Sequence, residues 1–237
     1  MAKLSLDELV AQLKSAFGSE LTSVVLYGSA AGGHHIPKRS DHNVLVIVKQ
    51  VPMNAAKAIS ATARAWSDAG NPPPLVFTES EWRGSSDIFP MEYADILDRN
   101  RVLYGAPPFD GISVRNADLR LQLENETMGK LLQLRRSLLT NAADDKQLVE
   151  MLGKSSSAVM VIFRAVCRLH GESPAPDNAR LIEQVARLTQ LDAAPFLKAA
   201  RVARGEAAVP AAEALTTASG YVGGMERLVR HLDGYKG

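Results

Sequence analysis

Strand-like patterning in this chain stops near residue 115, and that break constrains the fold more than any other feature. Before it, "TSVVLYG" (22–28), "HNVLVIVK" (42–49) and "NPPPLVFT" (71–78) are short β-branched or apolar runs bounded by turn residues. They predict three strands, with the prolines of the third confined to its start. Helical spacing surrounds them. Leu6, Leu9, Val10, Leu13 and Phe17 form an apolar stripe behind a Ser5/Glu8 capping box, and an Ala-rich stretch over 53–70 closes on Gly70. "RVLYGAPPFDG" (101–111), with two Pro and two Gly, reads as a linker, and beyond it only helical periodicity remains. Helices are expected over 117–140 behind Asn116 as N-cap, over 145–170 closed by Gly171, over 178–189 and 192–204, and over 210–233, the last weakened in its middle by "GYVGG". The expected fold class is α+β: a small mixed-sheet domain over residues 1–110, then an antiparallel all-α bundle over 115–237.

Charge narrows the partners. Lys+Arg 27 against Asp+Glu 26 leaves no basic footprint for nucleic acid or an anionic membrane. The single cysteine, Cys167, precludes an internal disulfide and zinc-type Cys spacing. Asp7, Glu8 and Lys14 interrupt any signal-like apolar start, and the longest apolar run, 158–163, is too short to span a bilayer. A cytoplasmic location is expected, with no membrane or nucleic-acid partner.

The stretch "LYGSAAGGHHIPKRSDHNVLVIVK" (26–49) carries the chemistry. A glycine directly after a strand lets backbone approach phosphate, and a hydroxyl next to it adds a donor; Gly28 and Ser29 offer both. Lys38, Arg39 and Ser40 in the following segment are candidate phosphate contacts. Alternate residues of a strand share a face, so acids spaced like Asp41 and Asn43 could bridge two Mg²⁺ ions if both were carboxylates. Asn43 has the right face and half the charge is missing; His42 should point the other way.

In this respect the chain resembles the nucleotidyltransferase superfamily that includes polymerase β, the kanamycin nucleotidyltransferases and the bacterial minimal nucleotidyltransferases. The family signature is a hydrophobic residue, Gly-Ser, a spacer of roughly ten residues, then Asp-hydrophobic-Asp/Glu-hydrophobic. Here Tyr27-Gly28-Ser29 is followed by 11 residues and Asp41-His42-Asn43-Val44. "SDIFPMEYADILDRNRVLYG" (86–105) is similar to the end of this domain in uncharacterised bacterial members, and the helical second half fits the family's two-domain plan. The resemblance implies Mg²⁺-dependent transfer of a nucleoside monophosphate from ATP or another NTP to a small acceptor, from a cleft between the halves. It assigns metal ligation to Asp41 and Asn43 and calls for a third carboxylate on a later strand. "PLVFT" has none. Glu79 is the nearest, with Glu81 just beyond and Glu92 and Asp95 in the next segment, so Glu79 is taken as the third catalytic candidate with Asp41 and Asn43.

The degenerate Asp-His-Asn leaves a second reading open: a non-catalytic nucleotide-binding or protein-interaction module, antitoxin-like, on the same fold. The expected partners are a nucleotide, a small acceptor or a protein, and a second copy in a homodimer. Arg164 and His170 resemble the Arg-x(4–6)-His ribonuclease motif of HEPN domains, but six residues apart they do not face one another on an ideal helix, so structural use is expected.

Overall fold

The computed structural model describes residues 4–31, 42–206 and 209–235, Ser29 by its backbone alone. The chain divides into two compact units, Met1–Val114 and Arg115–Gly237.

Among the described residues the first unit is built on four strands: β1 (Leu21–Tyr27), β2 (Asn43–Val48), β3 (Leu75–Thr78) and β4 (Asn100–Gly105), in spatial order β3-β2-β1-β4. β1 pairs antiparallel with β2 and β4, and β2 pairs parallel with β3. The parallel step is made through α2 (Met53–Asp68), a crossover long enough for the connection. Strand alternation sorts side chains between two cores. Val24, Leu26, Val44, Val46 and Val48 pack with Leu9 and Leu13 of α1 (Leu6–Phe17) and Trp66 of α2. Val25, Leu45 and Ile47 face α3 (Glu79–Gly84) and α4 (Pro90–Asp98) through Trp82, Tyr93 and Ile96. The sheet is therefore apolar on both faces, as its near-continuous Val/Leu/Ile runs require.

Local signals behave as their chemistry dictates. Ser5 and Glu8 form the reciprocal capping box, Ser5 N–H donating to Glu8 Oε2 at 2.8 Å and Glu8 N–H to Ser5 Oγ at 3.2 Å. Thr78 and Glu81 repeat it at α3. The residues taken as a linker differ from expectation. "RVLYG" is β4, an edge strand on β1, and Phe109, Ile112 and Val114 after it pack on the α3/α4 side. Trp82 Nε1–H fixes this segment by donating to the Pro108 carbonyl at 2.6 Å. Its Pro and Gly follow the strand and do not replace it.

The second unit is helical: α5 (Asn116–Asn141), α6 (Asp145–Leu169), α7 (Asn178–Thr189), α8 (Ala194–Ala203) and α9 (Ala211–Asp233). α6 is central, packed by the other four. Asn116 is the first helical residue and not the N-cap; Arg115 holds that position, its guanidinium on Asp118 at 2.7 Å. "GYVGG" does not interrupt α9. A side chain at Gly224 would run into the ring of Phe196, so the glycines let α8 press against α9 and bring Phe196 within 4.6 Å of Tyr221 and 5.1 Å of Phe163, ring centre to centre. Packing outweighs propensity there. No helix is long and apolar enough among the described residues to cross a membrane.

Candidate functional site

One end of the sheet gathers Tyr27 and Gly28 at the close of β1, Asn43 at the start of β2, and Asn100 at the start of β4. Tyr27 stands opposite both Asn43 and Asn100 in the two ladders. Gly28 N–H donates to the Arg99 carbonyl at 3.0 Å, turning the chain sharply out of the strand into a 3₁₀ turn over Gly28–Ala30. Gly28 sits at φ +76°, where an L side chain is strained. A Cβ there would lie 3.2 Å from Asn43 Nδ2 and 4.0 Å from Asp95 Oδ2. The Asn43 amide and the Asp95 carboxylate thus converge on the bare backbone of Gly28.

α4 brings the charge. Its Tyr93 stacks on Trp82 with ring centres 4.1 Å apart, and the Tyr93 hydroxyl donates to the Trp82 carbonyl at 2.7 Å. With Tyr93 and Ile96 buried against the sheet, Asp95 and Glu92, three residues apart on one helix face, lie near enough for their charge to act on Tyr27. Burial, followed by the negative charges of Asp95 and Glu92, pushes the Tyr27 phenol up to about 12. Tyr27 is therefore a neutral hydrogen-bonding group and not a base near neutral pH.

Sequence-derived candidates distribute unevenly. Gly28 and Asn43 come together. His42 points to the opposite face as its parity demands, its ring 5.9 Å from that of Trp66, while its backbone N–H donates to Asn71 Oδ1 at 3.0 Å. Glu79 is not at this site. It follows β3 at the far end of the sheet, where its Oε1 accepts from Thr22 Oγ1 at 2.8 Å. Five residues of β1 separate Thr22 from Tyr27, roughly 17 Å along the strand. The parallel pairing of β3 with β2 makes this unavoidable, since the C-terminal end of β3 lies beside Val48 and not beside Asn43. The carboxylate that lies beside Gly28 and Asn43 is Asp95; the signal in the sequence was the Glu92/Asp95 pair at helical spacing. Lys38, Arg39, Ser40 and Asp41 lie outside the described residues, as does the side chain of Ser29. Among the described residues no three His, Cys, Asp or Glu side chains form a metal-holding group. The donors present, Asn43 and Asp95, are oxygen-bearing and suit a hard cation such as Mg²⁺.

His170 in the second unit is used structurally. Its Nε2 lies 3.0 Å from Nε2 of His231, and its ring meets Tyr235 edge-on at 4.8 Å. One proton serves that contact; a second would set two N–H groups against each other. Burial holds both imidazoles below their usual range, each joined by a cationic neighbour: Arg187 for His170, opposed by Glu172, and His170 for His231. The folded bundle therefore binds fewer protons than the unfolded chain, so the contribution is complete above about pH 6.5 and is lost as pH falls below it. Thermal melts of the chain should show falling Tm from about pH 7.5 to pH 5.5, and His231→Gln should flatten that slope. An unchanged slope in the variant would dismiss the pair as its source.

No family model matches the chain, and neither does any curated protein. Among solved structures, the spectinomycin adenyltransferase AAD(9) from Enterococcus faecialis, solved with ATP and spectinomycin, is similar over 93% of this chain and 98% of that one, with a TM-score of 0.61 at 11% sequence identity. At that identity the likeness is one of fold alone: a small mixed sheet and a helical part.

Proposed function

We propose that this chain binds a nucleoside triphosphate at the Gly28 end of its sheet and transfers the nucleoside monophosphate to a small hydroxylated acceptor. The observation behind this reading is the convergence of Asn43 and Asp95 on Gly28, in a fold shared with an adenyltransferase solved with ATP. Gly28, its own N–H engaged by the Arg99 carbonyl, would let phosphate approach the bare backbone, Ser29 would add a hydroxyl donor, and Lys38, Arg39 and Ser40 would add charge and hydrogen bonds. Asp41, Asn43 and Asp95 would hold Mg²⁺, which when bound would neutralise phosphate charge and align the reacting oxygens. The acceptor oxygen bonds to the α-phosphorus, pyrophosphate leaves, and Glu92, exposed on the same face of α4 as Asp95, takes the acceptor's proton.

Asn43 favours a second reading. An amide offers one neutral carbonyl oxygen where a carboxylate would bridge cations, which suits a module that holds nucleotide, or docks a protein, without turnover. Calorimetric titration with ATP, with and without Mg²⁺, followed by an assay for pyrophosphate release on hydroxylated acceptors, separates the two. Mg²⁺-dependent binding is expected, and Asn43→Asp should tighten it by roughly 10- to 100-fold, the net of added Coulomb attraction over desolvation. Binding without release on any acceptor selects the second reading. Absence of nucleotide binding in both wild type and Asn43→Asp sinks the nucleotide site altogether.

A further inference from the structure

From the outer face of α5 we infer that two copies of this chain pair through that helix, antiparallel and about a two-fold axis. The inner face of α5 is spoken for: Leu119, Leu123, Thr127, Leu131 and Leu134 are buried against the bundle. The opposite face is apolar as well. Leu121 is 70% exposed, Met128 40%, Leu132 44% and Leu139 85%. A helix apolar on both faces is built to be covered on both.

The spacing selects the occupant. Leu121, Asn125, Met128, Leu132, Arg135 and Leu139 alternate steps of four and three residues, a heptad seam in d-a-d-a-d-a phase. The intervals between its four apolar members are 7, 4 and 7, the same from either end. Antiparallel pairing centred on Lys130 therefore sets Leu121 against the second copy's Leu139 and Met128 against its Leu132, with Asn125 facing its Arg135. Lys130 itself points away from the seam and donates to Gln133 at 2.7 Å. Parallel pairing would instead stack Arg135 on its own copy.

Charge makes the same choice. Residues 116–128 carry Asp118, Glu124 and Glu126 against Arg120, a net of −2; residues 129–141 carry Lys130, Arg135 and Arg136 and no acid, a net of +3. Antiparallel pairing lays the acidic half on the basic half, whereas parallel pairing opposes like charge along the whole helix. A groove of about 380 Å³ between α5 and α9, lined by Leu121, Met128, Val229 and Leu232 among others, leaves room for the incoming Leu139. The contact is isologous and closes at two copies.

Sedimentation equilibrium of the full chain between about 1 and 100 µM tests this, the range in which modest interfaces populate. A dimer is expected. Leu121→Glu with Leu139→Glu should weaken it by at least about 100-fold by burying carboxylates in an apolar seam, with the far-UV circular dichroism unchanged because both positions are exposed. Orientation is read independently by mild oxidation of single-cysteine variants, Cys167 being buried. Mixed Leu121→Cys and Leu139→Cys proteins should give the cross-disulfide, and Leu121→Cys alone should not self-link. A monomer throughout the range, a dimer indifferent to the double glutamate variant, or rapid self-linking of Leu121→Cys would each overturn the inference.

Discussion

Replacing Gly105 by alanine should cost the first unit about 3 kcal/mol or more, far above what its modest change in size suggests. Gly105 stands at φ +76°, and a Cβ there would collide with the backbone carbonyl oxygen of Thr22 across the β1–β4 ladder. Backbone cannot give way as a flexible side chain does. The register shift between Val24 and Val25 places this glycine opposite Ser23, whose hydroxyl donates to the Tyr104 carbonyl at 3.3 Å, so the edge strand must either lift away or break that pairing. Gly111→Ala is the matched control. It has φ +73° but nothing within 4 Å of the added carbon, so it should lose only the strain of a left-handed alanine, about 1–2 kcal/mol. Urea or thermal unfolding of the two variants decides it. Equal losses would mean that conformational strain alone, and not the collision with Thr22, governs Gly105.

The second large effect concerns Asp95. Asp95→Asn should reduce Mg²⁺-dependent ATP binding by roughly 30- to 150-fold, or about 2–3 kcal/mol, the net loss of a carboxylate at a cation after desolvation is returned. Glu79→Gln should leave that binding within about twofold, since roughly 17 Å of strand separates it from the site and a charge at that range is screened. Paired titrations give the answer. If Glu79→Gln abolishes binding while Asp95→Asn does not, nucleotide is held elsewhere than at the Gly28 end of the sheet.

The contrast between these two acids also shows where sequence reasoning reached its limit. Gly28 and Asn43 were legible because both lie at strand ends, where the Gly-Ser turn and the period of two fix position and face. His42 on the opposite face follows from the same parity. Asp95 was legible only as one of a Glu92/Asp95 pair at helical spacing; its place beside Gly28 was not, because that depends on how α4 sits on the sheet, set by Tyr93 stacking on Trp82 and by Ile96, contacts with no local periodic signature. β4 was hidden for a related reason. "RVLYG" is short, runs into Gly and Pro, and finds its partner in β1, with 72 residues lying between the two strands. The α+β division and the helical second half were readable from hydrophobic spacing. The glycines of α9 misled only because propensity ignores the Phe196 ring and Pro195, which need the missing side chains of Gly224 and Gly220.

That late pairing of β4 bears on how the protein is made. β1 is an interior strand, yet its second neighbour is synthesised last. From the appearance of β2 until residue 105 emerges, the N–H and C=O groups along one side of Val24, Val25 and Leu26 have no strand to meet, on an apolar ribbon of the kind that recruits other chains. At about 5–20 residues per second, translating the 57 residues from the end of β2 to Gly105 takes roughly 3–11 s. Ribosome pausing within α4 would prolong that interval, whereas pausing once Gly105 has emerged would not. The helices of the second unit, whose backbone hydrogen bonds are local, form quickly once released. The vulnerable moment in the life of this chain is therefore a translational one, and it ends with the completion of a six-residue edge strand.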